Sequence, residues 1–436
     1  MGRIVNNQWT VIGSSNGSSN YGDEMMWLNL VGVIREIDPD CTVVTDAFPG
    51  WAPPLSGVKT LPFLHEGLLR YVMRPSPTRL SNKVKAACGL ILNRGSTVRG
   101  YRRSEQITDG APARGVEAVW EAELKVSRGL VFSGAGGVTD RFALHAIAAW
   151  GILVALARRN GVPVLFVGQG IGPVVDAAAS RAAGRMLAGA DKVGVRDHIS
   201  ATTARQLVPG AAVEAHLDWA VATPTPRGVD EDVESWMLGM GLNNFIAVSI
   251  HDWTSATDSL RQRVRSVLAE AAQHAHNTGR RVLCVPNCVG LQRADDRQFM
   301  QTVIDDLEPH LADLCVQTPT SFGAYQTRRV LREAEYLVTT RYHPLVFAMA
   351  EGTPSVGVAY DDYYLQKHRG ALAWYADDAM ILDAQREYPS EDWWRHVDVE
   401  MSRLSDRDLL GRTAALRAQP VEFLTSWLRE VAPDVP

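Results

Sequence analysis

Short apolar runs alternate along the chain with longer stretches whose apolar positions recur at helical spacing. W-T-V-I-G-S-S (9–15) reads as a strand, and a helix is predicted over 22–37. C-T-V-V-T-D-A (41–47) reads as the next strand. R-G-L-V-F-S-G (128–134) leads to a helix predicted over 141–159, which stops at Asn160-Gly161. V-P-V-L-F-V-G (162–168) is apolar, β-branched and aromatic throughout, the pattern of a strand buried on both faces. D-K-V-G-V-R-D (191–197) repeats the theme before another helix. Strand–helix alternation of this kind predicts a parallel sheet covered by helices on both faces.

The rhythm breaks at H-L-D-W-A-V-A-T-P-T-P-R-G (216–228), whose prolines mark a linker. A second series follows: F-I-A-V-S-I, R-V-L-C-V-P, L-C-V-Q-T-P, E-Y-L-V-T-T, S-V-G-V-A-Y and A-M-I-L-D-A, with helical stretches between them. The expected architecture is α/β, with two Rossmann-type, doubly wound parallel-sheet domains facing a cleft. The first covers 1–220 and the second 221–385. Residues 386–436 read as helices, rich in Trp and Arg, that pack back across the linker. In such folds ligands bind at the carboxyl ends of the strands.

Composition narrows the function classes. A chain of 436 residues suits two domains, and 46% hydrophobic with 21% charged residues is ordinary for a soluble globular protein. A net charge of −5 argues against nucleic acid as a partner. Five cysteines, odd in number, point to a reducing compartment without a disulfide framework. Cys284 and Cys288 stand C-x3-C with no second pair, so no zinc site is expected. The opening M-G-R-I-V-N-N-Q-W-T has no signal-peptide character. The most apolar helix candidate, from Phe142, carries His145 and falls short of the roughly 20 residues a membrane span needs. A cytoplasmic location is the expectation. One insert stands out: from Arg70 to Arg103 there are nine Lys or Arg residues and no acidic one. It reads either as a surface for an anionic acceptor, with at most peripheral membrane contact, or as a solvated loop.

The chemistry-bearing residues fall in strand-to-helix turns. In T-T-R-Y-H-P-L-V-F-A-M-A-E-G-T-P (339–354), Pro344 fits a first helical turn and Gly352 a helix end. Arg341 and His343 therefore lie at a sheet's carboxyl edge and at the positive end of a helix. Arg341 offers a bidentate fork for carboxylate or phosphate, and His343 a proton carrier near neutral pH. The alternative is that Arg341 pairs with a structural carboxylate and His343 caps the turn. G-A-G-G-V-T-D (134–140) brings Gly136 and Gly137 close to any ligand backbone-first, with Asp140 as helix cap, base or hydroxyl-orienting group. G-Q-G-I-G-P (168–173), which contains Gln169, shapes a wall or simply turns. Arg196 is a second anion clamp or the partner of Asp197 or Asp218. S-S-N-Y-G-D-E (18–24) opens the first helix, with Asn20 or Asp23 as cap.

In this order and spacing the motifs resemble the polysaccharide pyruvyl transferase family. The matching segments are N-Y-G-D, G-A-G-G-V-T-D, G-V-P-V-L-F-V-G-Q-G-I-G-P, V-R-D-x-x-S, L-D-W-A, and R-Y-H followed by A-x-x-x-G-T-P-S-V-G-V-A-Y, over roughly residues 8–375. The resemblance implies a GT-B-like fold with the active site between two domains. It also implies transfer of pyruvate from phosphoenolpyruvate, a co-substrate, to two hydroxyls of a sugar, with no further cofactor and no metal. By motif, Arg196, Arg341 and His343 take donor-binding and catalytic positions, with Tyr342 between the last two. Asp140 takes the acidic position near the glycine loop. The implied acceptor is a glycan or glycosylated molecule, phosphate- or lipid-linked, belonging to a cell-surface polymer or a small secreted metabolite. The glycine loop departs from the usual G-G-G, and Lys367 stands seven residues beyond Tyr360, displaced from the family's lysine. Two other readings compete: a GT-B glycosyltransferase using a nucleotide sugar, with Glu351 as the acid for the ribose, and a repurposed scaffold without activity.

Overall fold

A computed structural model describes residues 6–13, 20–48, 50–65, 82–226, 228–252, 256–290, 295–375, 381–386, 389–405 and 407–433, with the side chains of 82–93 excepted. The chain divides into two compact units. The first comprises the chain up to Gly17, Trp27–His216 and the C-terminal stretch from Pro420; the second comprises Ser18–Met26 and Leu217–Gln419.

The first unit carries seven parallel strands: β1 (Gln8–Ile12), β2 (Thr42–Ala47), β3 (Val58–Pro62), β4 (Leu130–Phe132), β5 (Val164–Gln169), β6 (Lys192–Val195) and β7 (Val213–Ala215). Their order is β3-β2-β1-β4-β5-β6-β7, so the winding reverses between β1 and β4. The second unit has six: β8 (Phe245–Ser249), β9 (Arg281–Cys284), β10 (Cys315–Gln317), β11 (Leu337–Thr339), β12 (Ser355–Ala359) and β13 (Ile381–Asp383). All are parallel, in the order β10-β9-β8-β11-β12-β13, with the reversal between β8 and β11. Both sheets are doubly wound, as the strand–helix alternation predicts.

The central strands form because they are apolar on both faces. β4, β5, β8 and β12 are buried at every position. In the first core Phe132 stacks on Phe166 at 4.4 Å and 7°, with Trp150 tilted against Phe132 at 5.2 Å. The C-terminal helix Leu409–Val431 supplies Trp427, 6.0 Å from Trp9, and Gly129 makes room for it: a Cβ there would lie 2.7 Å from the Trp427 ring. Among the described residues no helix is long and apolar enough to cross a membrane.

Three elements differ from the sequence reading. β3 and β7 were not anticipated, since both are sheet edges whose half-exposed positions leave no continuous apolar run. The helix expected over 141–159 is three pieces: a 3-10 turn Asp140–Phe142, a π turn Leu144–Ala148 and an α-helix Ala149–Arg159. It ends where expected, at Asn160 with Gly161 at φ +65°. Of the basic insert, 70–81 lies outside the described residues, and helix Asn82–Thr108 follows.

Candidate functional site

In the second unit, four strands release chemistry-bearing residues at one edge of the sheet. His251 follows β8; Asn287 and Cys288 follow β9; Arg341 and His343 follow β11; Tyr360, Tyr364 and Lys367 follow β12. β8 and β11 flank the winding reversal, where open α/β sheets hold ligands. The helix after β11 runs Tyr342–Ala350, with Pro344 in its first turn as expected. Arg341 is thus its N-cap residue and His343 lies in its first turn, with Gly352 at φ +91° just past its end.

Arg341 is paired. Its Nε donates to Asp296 Oδ2 at 2.9 Å and its Nη2 to Asp296 Oδ1. Asp296 is fully buried and also accepts the N–H groups of Asn287 (3.0 Å) and Cys288 (2.9 Å). Burial opposes the charge of Arg341, yet Asp296 holds its pKa above the ordinary value. Burial raises the Asp296 carboxyl, with Arg341 and the two N–H groups pulling the other way. Burial also pushes the neighbouring Cys288 thiol up to about 12, so the thiol is neutral and Asp296 is the charge that Arg341 answers. The fork spends its Nε–Nη2 edge on Asp296; among the described residues its Nη1 makes no hydrogen bond.

His343 is buried against a distant part of the chain. A Cβ on Gly22 would fall 1.8 Å from its Cγ, so only glycine permits this approach. Gly22 belongs to N-Y-G-D, which is fastened locally: Asn20 bridges Cys288, Tyr21 N–H donates to Asn287 O (3.0 Å), and Asn287 Nδ2 donates to Asn20 Oδ1 (3.1 Å). Asn20 in turn donates to Asp23 Oδ2 at 2.9 Å, at the start of helix Tyr21–Ile37. Tyr342 donates its hydroxyl to Asp218 Oδ2 (3.2 Å), which accounts for L-D-W-A as its anchor. Lys367 holds its ammonium over the rings of Tyr363 (4.3 Å) and Tyr342 (5.7 Å), so it does reach the neighbourhood of R-Y-H.

Sequence reasoning missed His251 and Asp296. His251 Nδ1 lies 2.7 Å from Thr340 Oγ1 and its Nε2 2.9 Å from the Tyr364 hydroxyl. Burial first, then Arg341, His368 and Lys367, keep this imidazole neutral, with its pKa well below the ordinary value. The rule that singled out Arg341, a polar residue just past a buried strand, also finds His251. Asp296 gives no such signal, because D-D-R before a helix reads as capping, the role Asp295 does fill.

In the first unit the remaining candidates gather after β4, β5 and β6. Gln169 Nε2 lies within hydrogen-bond distance of Phe132 O (3.1 Å), Ser133 O (2.8 Å) and Val167 O (3.1 Å), tying the end of β4 to β5 just before the glycine loop. Gly136 and Gly137 are half-buried, and a Cβ on Gly137 would press Ala146 at 3.1 Å. Asp140 is not the helix cap. Thr139 is, accepting from Arg141 N–H. Asp140 Oδ2 instead accepts from Val175 N–H (2.7 Å) and Asp176 N–H (3.3 Å), while its buried Oδ1 has no hydrogen-bond partner among the described residues. Arg196 is buried, its Nε 4.0 Å from Asp197 Oδ2, with the guanidinium flat against Gly170: a Cβ there would sit 2.6 Å from Nη2. The second glycine of G-Q-G therefore exists to seat Arg196. Asp197 mainly caps helix His198–Leu207 through Ser200 N–H (2.6 Å).

Comparison with known proteins supplies two findings. The family model described as polysaccharide pyruvyl transferase matches residues 20–362. Solved structures match in fold across nearly the whole chain. UGT71G1 of Medicago truncatula, complexed with UDP-glucose, has 9% identity and a TM-score of 0.53, covering 98% of each chain. The UDP-GlcNAc 2-epimerase of Methanocaldococcus jannaschii has 9% identity and a TM-score of 0.55, covering 96% of this chain and 99% of that one. The Neisseria meningitidis enzyme, bound to UDP-GlcNAc, has 10% identity and a TM-score of 0.54, covering 97% and 99%. At such identities the likeness establishes the GT-B-like fold. No curated protein matches the sequence.

Proposed function

Since the chain belongs to the polysaccharide pyruvyl transferase family, a family of transferases, we propose that it transfers pyruvate from phosphoenolpyruvate to two hydroxyls of a sugar. The product is a cyclic ketal, and phosphate is released. The observation that carries this reading is the placement of Arg341 and His343 together at the winding reversal of the second sheet, with Lys367 close by.

The chemistry fits these groups. Phosphoenolpyruvate carries a carboxylate and a phosphate, and the guanidinium of Arg341 suits either anion. Protonation of the methylene carbon leaves an oxocarbenium-like centre on the neighbouring carbon. A sugar hydroxyl adds there and gives up its proton. Phosphate then departs, and a second hydroxyl closes the ketal with loss of another proton. His343 delivers the proton to carbon or takes one from the hydroxyl. Acid–base help of this kind is worth on the order of 10²–10⁴ in rate.

One observation weighs against nucleotide-sugar transfer. Glu351, the acid that reading needs for a ribose, is taken up by Arg328 at 2.5 Å, with Arg417 at 3.7 Å.

The test is a thermal titration of the wild type and Arg341→Ala with phosphoenolpyruvate, with UDP-sugars as control. A ligand at 100 times its Kd stabilises the folded state by about 2.7 kcal/mol. The expected result is a rise in Tm with phosphoenolpyruvate that Arg341→Ala removes. A rise with UDP-sugars alone overturns the reading in favour of glycosyl transfer.

A further inference from the structure

Arg341 does not stand free for an anion. Both nitrogens of one edge are committed to a carboxylate that has no other exit: Asp296 is fully buried, at the first position of helix Asp296–Ile304, and receives two backbone N–H groups besides the guanidinium. A side chain with four rotatable bonds is thereby reduced to one orientation, with Nη1 as its remaining edge. The same carboxylate fixes the backbone of Asn287 and Cys288, and these two residues hold Asn20 and Tyr21. The next residue, Gly22, walls the imidazole of His343. One buried acid thus connects both site residues of the second unit, one by direct pairing and the other through the loop after β9 and the start of the first helix.

We propose that Asp296 is the positioning residue of the donor site: it presents the Nη1 edge of Arg341 to phosphoenolpyruvate and holds the clasp that seats His343. This inference rests on the donor reading above. Asp296 touches no substrate atom in this role. It removes the ordering cost that a free arginine meets on binding, and it does so at the expense of two of the guanidinium's five N–H donors.

A double-mutant cycle on phosphoenolpyruvate binding by calorimetry tests it, using the full chain as wild type, Asp296→Asn, Arg341→Gln and the double variant. Asp296→Asn keeps the shape of the side chain and removes the charge that locks the fork. Its expected effect is a loss of at least tenfold in affinity, shrinking to less than twofold in the Arg341→Gln background, since a residue acting through Arg341 has nothing to act on there. Equal losses in both backgrounds mean that Asp296 supports the fold in general, and the inference fails. Unchanged or tighter binding in Asp296→Asn also overturns it. Asp296→Glu, which retains the ion pair and with it the folding, is the second arm: it displaces the fork by one methylene and is expected to weaken binding between threefold and tenfold in a protein that still unfolds cooperatively. Wild-type affinity retained by that variant sinks the inference even if Asp296→Asn fails to fold. If the wild type itself shows no binding of phosphoenolpyruvate, the donor reading falls, and this inference with it; binding by the wild type with no coupling in the cycle removes this inference alone.

Discussion

Gly22 is the residue at which sequence pattern and site chemistry meet most sharply. Alone, N-Y-G-D reads as the start of a helix; its glycine gains a reason only when His343, more than three hundred positions away, is found against it. Gly22→Ala places a methyl where the imidazole stands, and overpacking of this kind costs roughly 1–3 kcal/mol. The ring must leave its seat or the helix must shift. Under the donor reading, phosphoenolpyruvate is expected to shift the His343 Cε1–H resonance in the wild type and to leave it unperturbed in a folded Gly22→Ala variant of lowered Tm. An unaltered ring response in Gly22→Ala contradicts the steric account. At this scale the sequence disclosed the residues near strand ends, Arg341, His343, Arg196 and Asp140, because a buried strand followed by a polar turn is a local pattern. It did not disclose their partners. Asp296 for Arg341, Gly22 for His343 and Gly170 for Arg196 are long-range matches of charge or shape, and a single chain read in order carries no trace of them.

At the level of elements, the helix Tyr342–Ala350 depends on what lies beneath its end. Glu351, its C-cap residue, is buried with Arg328, whose side chain has no exposure, and Arg328 Nη1 also donates to Thr223 O at 2.7 Å. Removing one member of a buried pair leaves the other charged and unanswered, at a cost of about 3–5 kcal/mol. Glu351→Ala is therefore expected to lose that much stability in denaturant unfolding. A ribose-binding Glu351 makes the opposite forecast: a variant as stable as the wild type that has lost affinity for a nucleotide sugar. Strands in the second unit were legible throughout, since each of the six is a short apolar run bounded by turn residues. The first unit hid its two edges, β3 and β7, because an edge strand shows water one side and one face of its residues. It also hid the π turn Leu144–Ala148, where the sequence carries an unbroken helical pattern and the widening appears only as the Ala148 N–H bond to Ala143 O.

For the molecule as a whole, the response to pH follows from where charge has been buried. Asp46, next to last in β2, accepts with its Oδ1 from Gly13 N–H at 2.8 Å, and burial pushes its carboxyl up to about 8. An unfolded aspartate releases its proton near 4. Between those values the native state holds a proton that the unfolded chain has lost, so unfolding releases it. The contribution of Asp46 to stability is then fully present below pH 4, declines by ~1.4 kcal/mol per pH unit as pH rises, and is gone above the folded value. His368 acts with the opposite sign. Burial lowers its pKa to about 3, so the stability it contributes is present above 6.5 and is lost as pH falls towards 3. The two belong to different units, His368 to the second and Asp46 to the first. Asp46→Asn keeps an oxygen for Gly13 and removes the titration. Because His368 and every other group are common to both proteins, the Tm of Asp46→Asn minus that of the wild type isolates the one carboxyl. That difference is expected to grow steadily from pH 5 to pH 8 and to level off beyond. A difference that stays constant over this range means that Asp46 is already ionised in the folded protein, and that the crevice after β1 and β2 is wetter than its geometry implies.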